Sequence, residues 1–345
     1  MMKRIMNKDR FTKRVKTKWL LLIAFLSLFL TPYSLLYAQE LTTEQEQQFT
    51  YYWYAAKHAI VEERYEDAYT LLEFCRMMKP NDGQTLSFLG ILYSGTGQTE
   101  LALETFRQAF EADPADQWYR YCNMLIKKPD RNSIKIFQAV LEKAHAAQKA
   151  RGNGKTEEDL LLTMRKFYID SEQWKKAMAI QDEIDARQGK TEDNAYYRAQ
   201  LYRLSGNPKK AIRTVVDYLE NDPTNSTMLH FHIGLLEQTK ASNEALCTAY
   251  EKLLAVEPGN SMALNNYAYH LATHRGDLNK AERMSERTIR EQPNNPVYLD
   301  TYGWILHLQG QNELALFYLQ RAESCAEGDE EVLNEIRKHI KIIKK

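Results

Sequence analysis

Residues 261–295 read SMALNNYAYHLATHRGDLNKAERMSERTIREQPNN and residues 296–327 read PVYLDTYGWILHLQGQNELALFYLQRAESCAE, one pattern written twice. In each copy an apolar segment (ALNNYAYHLA, then VYLDTYGWILHL) is followed by a turn glycine, Gly276 or Gly310, and a second segment opens on Leu-x-x-Ala or Glu-Leu-Ala. Apolar residues at helical spacing predict two amphipathic helices per copy, so each copy is expected to be a hairpin of about 34 residues. Ala281 and Ala315 lie 34 apart, each five residues past its turn glycine. There the second helix must approach the first closely, and a bulky side chain would push the pair apart, as overpacking does in any core.

The same small residue recurs upstream, at Ala68, Ala102, Ala177, Ala211, Ala245, Ala281 and Ala315, with spacings of 34, 75, 34, 34, 36 and 34. The cleanest copy runs from Gly83 to Asp116, with Leu86, Leu89, Gly90, Tyr93, Gly97, Ala102, Phe106, Ala109 and Pro114 in register. This pattern resembles the tetratricopeptide repeat (TPR) family. The resemblance implies an all-α fold, a right-handed superhelical solenoid of antiparallel helix hairpins closed by a C-terminal capping helix. Two repeats are expected over 49–116, a degenerate repeat and joint over 117–156, repeats four to eight over 157–327, and the cap over 328–345.

Local signals fill in this plan. Arg64 stands at the first turn, where a glycine often sits, and Pro80 and Pro114 terminate the first two units because proline lacks a donor and restricts its predecessor. Lys127-Lys128-Pro129-Asp130 interrupts the third unit, after which Ser133 is expected to cap a long helix through Ala150, followed by the Arg151-Gly-Asn-Gly-Lys joint. Extra residues before Pro258 and before Gly276 account for the 36-residue spacing. Val332, Ile336, Ile340 and Ile343 form a stripe suited to covering the open end of the last hairpin.

The N-terminus reads as a targeting element. Lys3 to Lys18 is basic, Trp19 to Leu30 apolar, and Thr31 to Ala38 a less hydrophobic exit. Two outcomes fit: a signal peptide cleaved between Ala38 and Gln39, or a retained anchor over 19–38 touching the inner membrane with its positive side inside. The Tyr-Ala-Gln-Glu ending resembles exported proteins of the Bacteroides group. Export to the periplasm or cell envelope is therefore expected.

Charge narrows the function classes. Beyond residue 38 the chain holds 38 basic and 45 acidic residues, a net of −7. An acidic body argues against a nucleic-acid surface, which needs concentrated positive charge. Cys75, Cys122, Cys247 and Cys325 are scattered without metal-site spacing. Cys75 replaces a small alanine and reads as a packed thiol, and Cys122 could approach it. No phosphate loop, dinucleotide fingerprint, serine elbow or His-Glu-x-x-His segment is present. His270 and His274 are one helical turn apart but lack a third ligand, and His230 and His232 face different directions. No catalytic, cofactor or metal residue is assigned, and the chain is expected not to be an enzyme.

In the resembled family the first helix of each hairpin lines the inner face. Mapping those positions marks Trp53, Tyr54 and Lys57, then Ser87, Phe88 and Ile91 in the first two repeats. Later copies contribute Tyr196, Tyr197 and Gln200; His230 and Phe231; Asn265, Asn266 and Tyr269; and Asp300, Thr301, Trp304 and His307. Aromatic faces bury apolar area with few rotors, and amides can pair with a peptide backbone. The same tyrosines also suit packing between neighbouring helices. The candidate partner-binding residues are Tyr196, Tyr197, His230, Phe231, Asn265, Asn266, Tyr269, Asp300, Trp304 and His307. The family also includes a clamp for a free C-terminal carboxylate, from which this stripe departs, because Asp300 and Thr301 stand where donors or positive charge would help. The expectation is a noncatalytic scaffold that holds an unknown protein or peptide. The alternatives are an adaptor using outer faces or ends, and an accessory subunit of an enzyme.

Overall fold

The computed structural model describes residues 41–127, 129–152 and 157–344. The expected leader or anchor, its cleavage point and residues 153–156 of the joint lie outside the described residues. The described chain is all-α, with seventeen helices and no strand. The described residues divide into two compact units, one ending at Phe167 and the other beginning at Tyr168.

The first unit holds α1 (Thr43–Val61), α2 (Tyr65–Met78), α3 (Gly83–Gly95), α4 (Thr99–Ala112), α5 (Trp118–Leu125) and α6 (Arg131–Arg151). Helix α7 (Glu158–Asp170) spans the division. The second unit continues with α8 (Trp174–Gln188), α9 (Glu192–Leu204), α10 (Pro208–Leu219), α11 (Ser226–Gln238), α12 (Asn243–Val256), α13 (Ser261–Thr273), α14 (Leu278–Glu291), α15 (Pro296–Leu308), α16 (Asn312–Cys325) and α17 (Glu330–Ile343). Within each unit the hairpins stack side by side: Ala56, Ala59, Ala68 and Leu72 of the first share a core with Leu89 and Leu92 of the second.

Close approach within a hairpin is visible at two glycines. A Cβ on Gly90 would lie 2.7 Å from the Phe106 ring, and one on Gly303 would lie 2.8 Å from Leu319 Cγ and 3.1 Å from the Ala315 carbonyl. Ala102 and Ala315, opposite them, are fully buried.

The turns show where the register lies. Seven first helices end on a left-handed residue: Glu63, Gly97, Glu172, Gly206, Lys240, Arg275 and Gly310, with φ from 51° to 84°. The next N–H reaches back five residues, as Gln98 to the Tyr93 carbonyl and Gln311 to the Leu306 carbonyl, both at 2.9 Å, which satisfies a carbonyl that the helix end would strand. The turn residue of the seventh hairpin is thus Arg275 rather than Gly276. That of the first is Glu63, and Arg64 is the N-cap of α2.

The sixth hairpin corrects the alanine register. In the other hairpins, the third excepted, the close-packed residue is fourth after the N-cap, so that Ala211 N–H bonds the Asn207 carbonyl and Ala281 N–H the Asp277 carbonyl. Here the N-cap is Ser242, and the equivalent bond at 3.1 Å is made by Leu246. Ala245 sits in the first turn, its N–H capped by Ser242 Oγ at 3.3 Å. Ala241 in this turn and Gly276 in the next are the inserted residues, and the true spacings from Ala211 to Leu246 to Ala281 are 35 and 35.

In the third hairpin, Asp130 rather than Ser133 caps α6. Asp130 Oδ1 accepts from Ser133 N–H at 2.6 Å while Asp130 N–H donates to Ser133 Oγ at 2.7 Å, a reciprocal capping box. Buried Gln148 of α6 donates to the Ala115 carbonyl at 2.8 Å. Helix α17 seals the last hairpin through Leu333, Ile336 and Ile340 against Leu299, Leu319 and Ala322. The four cysteines are free thiols. Burial pushes Cys75 up to about 11 and Cys122 up to about 12, which leaves both protonated and unreactive at neutral pH.

Candidate functional site

The first helices of the second unit present two rows of side chains at fixed distance from the turn. Tyr196, His230, Asn265 and Asp300 precede their left-handed residues by ten, and Gln200, Gly234, Tyr269 and Trp304 precede them by six. A separation of four places the two rows on one helical face.

In the first row the Tyr196 ring lies 4.8 Å from Phe231 and 5.6 Å from Tyr197, and its hydroxyl accepts from Gln200 Nε2 at 2.8 Å. His230 Nε2 meets Glu257 Oε2 at 3.0 Å. Hydrogen bonds from Ser226, Asn260 and His230 hold the Glu257 carboxyl down to about 2. Asn265 is buried, and its Oδ1 has no hydrogen-bond partner among the described residues. Asp300 Oδ1 contacts His339 Nδ1 of the capping helix at 2.9 Å, with both side chains largely covered.

The second row is interrupted by one glycine. Gln200 bonds Tyr196 and Arg203, and Gly234 carries no side chain. A Cβ at Gly234 would meet nothing within 4 Å. Tyr269 is 40% exposed, and burial of its remainder raises its hydroxyl pKa, helped by Asp300 and Glu335. Trp304 stacks on His339 at 4.2 Å and stands 5.1 Å from His307, whose Nδ1 contacts Asn312 Oδ1 at 2.7 Å.

The structure thus gathers Tyr196, Tyr197 and Phe231 into one aromatic group, and Asp300, Trp304 and His307 into another that includes His339. Asn266 and Tyr269 are open between them, whereas Asn265 is buried. Sequence reasoning missed Gly234, His339 and two exposed apolar residues on the same face, Met262 and Val297. His339 was detectable, because the spacing Ile336-His339-Ile340 puts it on the buried side of α17. Met262 and Val297 also carried a signal, since they stand 35 apart at the start of successive first helices.

The His270 and His274 rings stack at 4.2 Å, and among the described residues no group of three metal donors forms. Burial lowers the pKa of His232, whose Nδ1 has no partner among the described residues. Among the described residues no helix is long and apolar enough to cross a membrane.

Stacked hairpins whose first helices show equivalent rows define a helical-repeat protein. Residues 84–116 match the family model described as tetratricopeptide repeat. A TPR repeat-containing protein of Pseudomonas aeruginosa is 29% identical over 133 residues, covering 36% of this chain, which spans 22% of that relative's length. The crystal structure of the C-terminal part of a TPR repeat-containing protein from Cytophaga hutchinsonii is similar with a TM-score of 0.50 and 17% identity, over 73% of this chain and 98% of that one. That likeness is one of fold. Residues 84–116 thus match a tetratricopeptide repeat, within a helical-repeat fold like that of the TPR repeat-containing structure.

Proposed function

We propose that this protein is a noncatalytic scaffold of the bacterial cell envelope that holds an extended segment of a partner protein on the first-helix faces of its hairpins. The observation that carries this reading is Gly234. A glycine inside a helix costs about 1 kcal/mol relative to alanine, and here no neighbour requires it, since space around the missing Cβ is open. It makes a notch in the row between Gln200 and Tyr269 where a partner backbone can approach. Phe231 stands one turn before the notch and Tyr269 at the equivalent position of the next first helix, while Asn266, Met262 and Val297 are exposed elsewhere on the first helices, apolar area and an amide of the chemistry that grips an extended chain.

The test is capture of partners from native cells by crosslinking, with the wild type and a Phe231→Ala, Tyr269→Ala double variant. The variant is expected to lose at least tenfold of the captured partner while its circular dichroism stays helical. Undiminished capture contradicts the reading. A second reading, an adaptor that uses outer faces, is favoured by Phe317 and Leu314 of α16, which are 58% and 41% exposed one turn apart. In that case Phe317→Ala, and not the double variant, abolishes capture. Envelope placement is supported by the basic stretch from Lys3 to Lys18 followed by apolar Trp19 to Leu30. Fractionation with intact mass distinguishes a chain starting at Gln39 from one that keeps residues 19–38 as an anchor.

A further inference from the structure

The first-helix face of the first unit differs in kind from the one just described. From Gln47 to Val61 of α1, and throughout α3 and α5, there is no aspartate or glutamate. The cations are Lys57, Arg120 and, just past α5, Lys127. Lys57 Nζ lies 4.4 Å from the centre of the Trp53 ring, the Trp53 ring is 6.2 Å from Phe88, and the Arg120 guanidinium is 5.8 Å from Phe88. Arg120 also donates to buried Ser87 Oγ at 2.8 Å, and Lys127 Nζ to Ser94 Oγ at 3.4 Å. Ser87, Ile91 and Ser94 recur at helical spacing, so these contacts form one continuous strip across α1, α3 and α5.

Among the described residues, Lys57, Arg120 and Lys127 form no ion pair with a carboxylate. Most other ion pairs on the surface are formed within a helix or between neighbouring helices, as Arg198 with Asp182 and Asp185, or Arg151 with Asp113 and Asp116. Among the described residues, Lys57, Arg120 and Lys127 have only rings and hydroxyls for company. Desolvation lowers the Arg120 pKa with no carboxylate to offset it. A partly desolvated guanidinium that gains nothing from its own chain is stabilised once a carboxylate arrives.

We propose that this strip binds an acidic peptide segment, whose carboxylates meet Arg120, Lys57 and Lys127 while its apolar side chains lie on Trp53, Phe88 and Ile91. This deepens the scaffold reading and rests on it. A peptide is favoured over a nucleic acid because three cations on a net acidic body supply too little charge for a phosphate backbone, and because the hydroxyls and aromatic faces suit a peptide.

The experiment measures binding of the full chain to a short labelled Glu-Ala alternating peptide, its Lys-Ala counterpart and a single-stranded oligonucleotide of matched charge. The Glu-Ala peptide is expected to bind at low salt, weaken steeply as salt is added, and lose about tenfold in affinity with Arg120→Glu or with the exposed Lys57→Glu and Lys127→Glu pair. Lys209→Glu, on α10, should leave it unchanged. Absence of Glu-Ala binding, indifference to both sets of variants, or preference for the oligonucleotide overturns the proposal. If Arg120→Glu proves unfolded by circular dichroism, the exposed lysine pair decides. Failure here leaves capture through Phe231 and Tyr269 untouched, so the two readings fail separately.

Discussion

The sixth and eighth hairpins have the same backbone plan and opposite packing. Seven residues before its turn, the eighth carries Gly303 and the sixth Ile233. Opposite, after equivalent N-caps, stand Ala315, Leu319 and Ala322 in one, and Leu246, Tyr250 and Leu253 in the other. All are buried. In the eighth, small residues let backbone approach backbone, to the point where Gly303 has no room for a methyl group. In the sixth, large side chains fill the space, and the Tyr250 hydroxyl is satisfied by Glu237 Oε1 at 2.6 Å while its ring stacks on Tyr267 at 5.3 Å. What the repeat conserves is filled volume between two helices, and small residues are only one way to achieve it.

The contrast can be broken from either side. Leu246→Ala, which installs the residue found elsewhere, should destabilise the sixth hairpin by about 2–5 kcal/mol, because helices held apart by Ile233 and Tyr250 cannot collapse onto the cavity. Gly303→Val should cost the eighth about 1–3 kcal/mol through overpacking. Native-state hydrogen exchange reads both, because in a stacked array the loss is local and a single unfolding midpoint blurs it. If Leu246→Ala is neutral, Leu246 does not hold the position assigned to it.

A smaller effect of opposite sign sharpens the link to binding. Gly234→Ala should raise stability by about 1 kcal/mol, measured as a higher urea midpoint, and at the same time reduce partner capture. Greater stability with unchanged capture would make Gly234 a tolerated defect rather than a notch.

These elements also mark how far the chain could be read without coordinates. The all-α hairpin plan and its closing helix were legible, because period and small residues repeat wherever backbones touch. The register of the sixth hairpin was not: Ala245 lies one residue from the contact, and an inserted turn residue looks the same before or after the left-handed position. Left-handed Glu63, Glu172, Lys240 and Arg275 carry no glycine signal at all. The rows of the candidate face followed from helix order, which sets Tyr196 and Tyr269 on first helices. That His339 covers Asp300 and Trp304 depends on where the capping helix docks, which no local pattern encodes.

The central claim is that first-helix faces, and not outer helices, meet the partner. A photoreactive side chain placed at Phe231 in one variant and at Phe317 in another, both irradiated in native cells, tests it most directly. The account predicts a discrete crosslinked partner from position 231 and none from position 317. The reverse pattern would contradict it.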